Sequence, residues 1–188
     1  MKDVAGIIIF LSLVFIGYLI INNFVFRSFN VEGPSMEKTL HTGDKLVVNK
    51  IPVTISHIQG KDYLPDRGQV IVFKNPDFSL MGRDEYIVKR VVAFSGEKVI
   101  VLKGKVTVYN DEHPNGFNPD ILTPDQEGSP ATGDVERTVE EGEVFVLGDH
   151  RTGNYSFDSR NGLGTIPLED IIGPVSLRIF PFQNFRSF

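Results

Sequence analysis

The apolar and polar positions of this chain fall into two regimes. Residues 4–26 (VAGIIIFLSLVFIGYLIINNFVF) run 23 positions without a charge. At about 1.5 Å of rise per residue, about 20 apolar residues cross the ~30 Å hydrocarbon core of a bilayer. A buried helix of a soluble protein rarely stays apolar all round for this length. The rival reading is a cleaved secretory leader. The run is longer than a leader's apolar core, and RSFNVEGPSM beyond it offers no small-x-small cleavage site. The pattern predicts one uncleaved transmembrane helix, residues 1–27 forming the cytoplasmic end and anchor. Lys2 and the amino terminus bias that end toward the cytoplasm, and Arg27 on the far side weakens the bias. Residues 28–188 are then expected on the outer face of the cell membrane.

After the span the period changes. Short runs rich in Val, Ile and Phe alternate with polar positions and predict strands over Lys45–Asn49, Gln69–Lys74, Glu85–Phe94, Lys98–Leu102, Lys105–Tyr109, Glu143–Leu147 and Ile172–Phe180. Turn signals separate them, among them His41-Thr42-Gly43-Asp44, Pro65-Asp66-Arg67-Gly68 and Ser95-Gly96-Glu97. No long amphipathic helix follows the span. The expected fold class is mainly β: an antiparallel β-rich domain, barrel- or sandwich-like, over 28–188, hung from a single N-terminal transmembrane helix.

Charge changes the picture in one place. The chain carries −5 overall, and residues 28–188 hold 17 basic and 23 acidic side chains, which argues against a nucleic-acid binder. With no cysteine there are no disulfides, thiol nucleophiles or thiolate metal sites. Residues 111–143 hold ten acids and one base, Arg137, punctuated by Pro114, Pro119, Pro124 and Pro130. Such a composition buries little apolar area, so 111–143 is expected to be solvated and mobile, without metal-ligand spacing, and 103–142 is expected to be a variable insertion. The tail places Phe180, Phe182, Phe185 and Phe188 within ten residues. They are expected to pack under the β-domain; the alternative is an apolar patch beside the site.

Three separated segments carry the candidate chemistry. Ser35 follows Gly33-Pro34, in backbone that can turn sharply and present a hydroxyl. In Glu85–Phe94, alternation puts Lys89 on one face with Ile87, Val91 and Ala93, and Arg90 on the other with Val88 and Val92. A lysine among apolar neighbours is desolvated, which lowers its pKa and leaves a neutral amine able to act as a base. The polar loop Gly148–Arg160 follows an apolar strand and is dense in Asp, Ser and Arg. Of four histidines, His57 and His113 are expected in solvated loops. His41 and His150 lie near the serine and the loop, yet no Gly-x-Ser-x-Gly elbow accompanies them.

Taken in order, these segments resemble the bacterial type I signal peptidases, the membrane-bound serine–lysine leader peptidases. The shared motifs are Ser-Met-x-x-Thr-Leu at 35–40, Gly-Asp-x-Leu-Val-Val at 43–48 and Arg-Gly-x-Val-Ile-Val-Phe-Lys-x-Pro at 67–76. Tyr-Ile-Val-Lys-Arg-Val-Val at 86–92, Gly-Asp-x-Arg…Ser-x-Asp-Ser-Arg at 148–160 and the last strand at 173–182 complete the set. The resemblance implies a peptidase that removes signal peptides from secretory preproteins, cutting after small residues at the first and third positions before the scissile bond. It implies Ser35 as nucleophile and Lys89 as general base. Ser156 would orient the Lys89 amine, Asp158 and Arg160 would form a supporting ion pair, and Asp149 would brace the loop against Arg90. Val31, Gly33, Met36, Leu40, Ile87 and Val88 would meet the substrate. No metal or organic cofactor is implied. The implied partners are signal peptides, the lipid bilayer and, by proximity, the protein export machinery. An anchored β-domain that binds exported chains without cleaving them is the non-enzymatic alternative.

Three departures stand out. Lys38 occupies a position where the family usually has proline. Gly33 stands where one branch has a serine that donates to the oxyanion, and a glycine there resembles the Gram-positive type. The final loop carries two extra residues between Arg151 and Ser156.

Overall fold

A computed structural model describes residues 2–76, 85–122 and 130–188. Helix α1 (Lys2–Ile20) continues through a π turn (Ile21–Val25), and Val4–Val25 is long and apolar enough to cross a membrane. Its side chains touch almost nothing else in the protein; Val4, Phe10 and Phe15 are all more than half exposed. The chain then enters the β-domain directly through β1 (Phe26–Asn30).

All predicted strands form, within a residue of the expected bounds: β2 (Lys45–Asn49), β3 (Val70–Lys74), β4 (Tyr86–Phe94), β5 (Lys98–Leu102), β6 (Lys105–Tyr109), β8 (Glu143–Leu147) and β10 (Ile171–Phe180). The pattern did not flag β1, β7 (Val135–Thr138), β9 (Ile166–Pro167) or β11 (Arg186–Ser187). These are too short or too polar to show alternation, and pairing with a neighbour makes them strands. Every pairing is antiparallel. A large curled sheet runs β1-β2-β10-β3-β4-β8-β9, with β11 on β10, and a smaller sheet runs β6-β5-β7. β10 serves both halves of the curl: its start pairs with β3 and its end with β2. Register shifts at Ile171/Gly173, Val175/Leu177 and Arg178/Phe180 let it bend between them.

Three apolar clusters fill the fold. One lies around Met36, Leu40, Leu46, Val48 and Val72, one around Val53, Ile71, Phe73, Val91 and Ile166, and one between the two sheets around Val99, Val108 and Phe145. A register shift between Val91 and Ala93 interrupts the alternation of β4, so Ala93 joins Val92 in the third cluster.

Three expectations change. An eight-residue helix, α2 (Ile51–Ile58), follows β2, and His57 lies in it rather than in a loop. The acidic stretch is integrated in its described part: β7 pairs with β5, and Asp120, Ala131 and Val139 are buried. A segment rich in acids still lends a strand when every second residue faces a sheet. The expectation at Pro124 lies outside the described residues. Phe180, Phe182, Phe185 and Phe188 are all exposed instead of packed beneath the domain.

Candidate active site

Ser35 opens a short helical turn in which Glu37 N–H donates to Pro34 O and Leu40 N–H to Met36 O. Gly33 precedes it at φ +81°, a left-handed conformation that a glycine adopts without strain. Two buried arginines hold the turn from below. Arg178 of β10 donates to the Thr39 carbonyl and to Asp44 Oδ2, both at 3.0 Å, and Arg90 reaches Thr39 Oγ1 at 3.3 Å. From the side, the His150 backbone N–H donates to the Ser35 carbonyl at 3.0 Å. Among the described residues, the Ser35 N–H itself has no protein acceptor.

β4 brings Lys89 to this turn. Its Nζ lies 2.8 Å from Ser35 Oγ and donates to the Val88 carbonyl at 2.8 Å. The residue is 3% exposed, and its pKa is lowered from 10.5 to about 8. Burial drives the shift; the Asp158 and Asp149 carboxylates oppose it, and Arg160 adds to it. Lys89 makes no ion pair among the described residues, so the neutral amine is within reach near neutral pH. The next residue is treated differently. Arg90 Nε and Nη2 donate to the two oxygens of buried Asp149, at 2.8 and 2.5 Å, and Nη1 donates to the Gly68 carbonyl.

The loop after β8 closes the far wall. Asp158 is fully buried and receives Arg160 Nε and Nη2, the Ser156 hydroxyl at 2.7 Å and the Gly148 N–H at 3.0 Å. Burial alone would raise the Asp158 carboxyl; the Arg160 fork and the other donors outweigh it and hold the pKa below the ordinary value. Ser156 therefore spends its hydrogen on Asp158, and no bond from it to Lys89 is present. Gly148 has to be glycine: a methyl group there would collide with Ser156 Oγ and the Ser35 carbonyl.

Ser35 and Lys89 open into a cleft of about 700 Å³. Its walls are the end of β1 with Val31, Gly33 and Pro34, and the start of β4 with Tyr86, Ile87 and Val88. Met36 and Leu40, expected to meet the substrate, are instead fully buried in the core beneath the cleft and do not line it. The core needs both to seat the serine turn, so their side chains point inward. Sequence reasoning missed Tyr155 and Phe157, which line the cleft from the loop, and the pair that holds that loop, Arg151 and Asp120. Arg151 is fully buried; its two terminal nitrogens each donate to Asp120 at 2.7 Å and its Nε donates to the Gly148 carbonyl. Asp120 lay hidden in the acidic stretch, where nothing distinguishes it from nine other acids. Among the described residues no cluster of His, Asp and Glu has the geometry to hold a metal ion.

A serine hydroxyl against a desolvated lysine, in an open cleft between two strand ends, can perform acyl transfer without histidine. That chemistry defines a class, the serine–lysine hydrolases, and comparison with known proteins narrows it. The model of the family "Signal peptidase, peptidase S26" matches residues 2–180. Signal peptidase I T of Bacillus subtilis is 32% identical over 90% of this chain and 81% of its own length. A signal peptidase I of Bacillus amyloliquefaciens is 34% identical over the same shares. Signal peptidase IB of Staphylococcus aureus is 28% identical over 98% of this chain and 94% of its own. The chain belongs to the signal peptidase I family, peptidase S26, serine peptidases that remove signal peptides from secreted preproteins.

Proposed function

We propose that Ser35 is the nucleophile and Lys89 the general base of this peptidase. The observation that carries the reading is the 2.8 Å approach of Nζ to Oγ inside a buried, unpaired lysine environment. Neutral Lys89 takes the Ser35 proton as Oγ attacks the scissile carbonyl of the preprotein. The oxyanion that forms is met by the free Ser35 N–H. Lys89 then passes its proton to the leaving amine, and an acyl group remains on Ser35. A water deprotonated by Lys89 attacks that ester and releases the signal peptide. Ser156, Asp158 and Arg160 act through Lys89: the buried Asp158 carboxylate sits in its field, and Ser156 is fixed to that carboxylate. Asp149 and Arg90 hold the loop and the serine turn together.

The substrate lies extended between β1 and β4, adding backbone hydrogen bonds to their free ends. Val31, Gly33, Ile87 and Val88 frame shallow pockets that suit small side chains at the first and third positions before the cut, as in Ala-x-Ala. Helix α1 crosses the cell membrane with its N-terminus in the cytoplasm, and residues 28–188 work on the outer face, near the export machinery that delivers preproteins. We also propose that segment 103–142 is a variable insertion of the domain. Ser35→Ala is the test: purified in detergent, it leaves a preprotein with an Ala-x-Ala site uncut at any pH. Retained cleavage would remove Ser35 from the mechanism.

A further inference from the structure

Helix α2 has two apolar sides, and only one of them is used by the fold. At about 100° per residue, Ile51, Ile55 and Ile58 fall on one stripe and Val53 lies roughly opposite. Val53 is 6% exposed and packs in the cluster with Ile71 and Phe73. The isoleucine stripe is left outside: Ile51 is 39%, Ile55 48% and Ile58 81% exposed. Three aligned isoleucines in water are unusual on an ordinary soluble surface, where that face carries charge.

The position of the stripe identifies its occupant. Thr54 borders it, and its hydroxyl donates to the Phe24 carbonyl at 3.0 Å; the Lys50 N–H donates to the Val25 carbonyl at 2.8 Å. α2 is thus hydrogen-bonded to the last turn of the apolar N-terminal helix, and the exposed side chains of Phe24 and Phe26 continue its apolar surface. Lys50 and Lys61 flank the helix, where cations meet lipid headgroups. Phe180 of the tail sits elsewhere, paired with Lys45 at the opposite end of β2.

We propose that α2 lies in the headgroup–acyl boundary of the bilayer, its Ile51–Ile55–Ile58 stripe against the acyl chains, as a second membrane contact beside α1. This rests on the reading that α1 crosses the membrane. A single span leaves the β-domain free to tilt about residues 25–26. A second contact at the same end of the sheet, where Phe26 pairs with Asn49, removes that freedom. The cleft lies past the other end of β1, about 13 Å along the strand, so the tilt sets the height of Ser35 above the membrane.

The chain has no cysteine, so single reporters are clean. Ile58→Cys, Leu13→Cys and Leu102→Cys are each labelled with a small fluorophore in the full chain and reconstituted into phosphatidylethanolamine–phosphatidylglycerol vesicles. Nitroxide lipids then quench from shallow or central depths, and iodide quenches from water. The expected result is an Ile58 label quenched by the shallow nitroxide and shielded from iodide, with the Leu102 label on β5 open to iodide. If the Ile58 label is as open to iodide as the Leu102 label while the Leu13 label responds to the central nitroxide, the span stands and the second contact is overturned. If the Leu13 label is open to iodide, the span reading fails; the Ile58 label then decides α2 by itself, shallow quenching upholding the contact and iodide quenching ending it. Ile55→Asn with Ile58→Asn gives a functional readout: cleavage of a vesicle-inserted preprotein falls by about fivefold or more, while a short soluble peptide in detergent is cut at the unaltered rate. Equal rates on the inserted preprotein would count against the proposal.

Discussion

Lys89 and Arg90 are neighbours on β4, both cations and both under a tenth exposed, yet they sit in opposite electrostatic worlds. On the back of the strand, Arg90 is forked onto Asp149 and further bonded to Gly68 O and Thr39, so its charge is fully paired. On the cleft side, Lys89 has a serine hydroxyl and one carbonyl and no carboxylate in contact. The paired cation is structural, tying β4 to the loop and to the serine turn. The unpaired one carries a desolvation penalty that is relieved by losing the proton, which makes it a base near neutral pH. One strand thus stores stability on one face and reactivity on the other, and adjacent residues can do so because a strand turns them to opposite sides.

The largest expected break is at Lys89. Lys89→Arg and Lys89→Met should each lower cleavage of a preprotein by about 10³-fold or more, since a guanidinium keeps its proton and a thioether has none to exchange. The same Met variant should be more stable than the parent at pH 7. The folded pKa of about 8 lies below the unfolded 10.5, so the folded state binds fewer protons between those values and stability rises with pH across that window. The penalty is fully present below pH 8, and removing it is worth up to about 3 kcal/mol by thermal or urea unfolding. A Met variant less stable than the parent at pH 7 would contradict an unpaired, desolvated lysine.

Arg90 should behave in reverse. Arg90→Met leaves Asp149 buried without a partner and should cost about 3–5 kcal/mol of stability, measured by urea unfolding. A loss below 1 kcal/mol would mean the fork matters little. Asp120→Asn extends the same logic to the acidic stretch: Arg151 would lose a charged partner in a fully buried site, and about 2–3 kcal/mol should go with it. This predicts that trimming 111–137 is harmful if the cut includes Asp120 and tolerated if it stays within 123–129.

The pH profile sharpens the comparison at intermediate size. kcat/KM on a soluble peptide should climb about tenfold per pH unit below 8 and level off above it, as the Lys89 amine deprotonates. Asp158→Asn should move that limb to lower pH, because a carboxylate that favours the charged amine is gone and Arg160 remains. A limb that stays in place would uncouple Asp158 from the base. The smallest effect is expected at His150. Its ring stacks on Tyr155 at 4.5 Å and touches the Pro34 carbonyl, but its bond to the Ser35 carbonyl comes from the backbone. His150→Ala should therefore keep most activity, within about threefold. Collapse with the fold intact would revive a histidine mechanism.

Much of this was legible beforehand, and the boundary is physical. The seven strands with clear alternation were readable because burial of one face imposes a period on the sequence. Ser35 and Lys89 stood out by motif, and Lys89 also by its apolar neighbours. Asp120 was invisible, and the roles of Thr39 and Arg178 could not be read from the motifs that contain them, because each acquires meaning only from a partner 31 to 139 residues away. Met36 and Leu40 show the opposite case: the motif was visible, but which way their side chains point depends on how the serine turn is seated.

By itself, the sequence determined the charge-free N-terminal helix, the β period of the domain and the candidate pair Ser35 and Lys89. These are local properties, written in hydrophobic spacing and residue type. Only the tertiary structure decided that Lys89 goes unpaired while Arg90 is paired, that Ser156 turns to Asp158, and that the acidic stretch grips the site through Arg151. A lysine's pKa depends on what solvates it, and the solvating groups here come from strands and loops that meet only after the chain has folded.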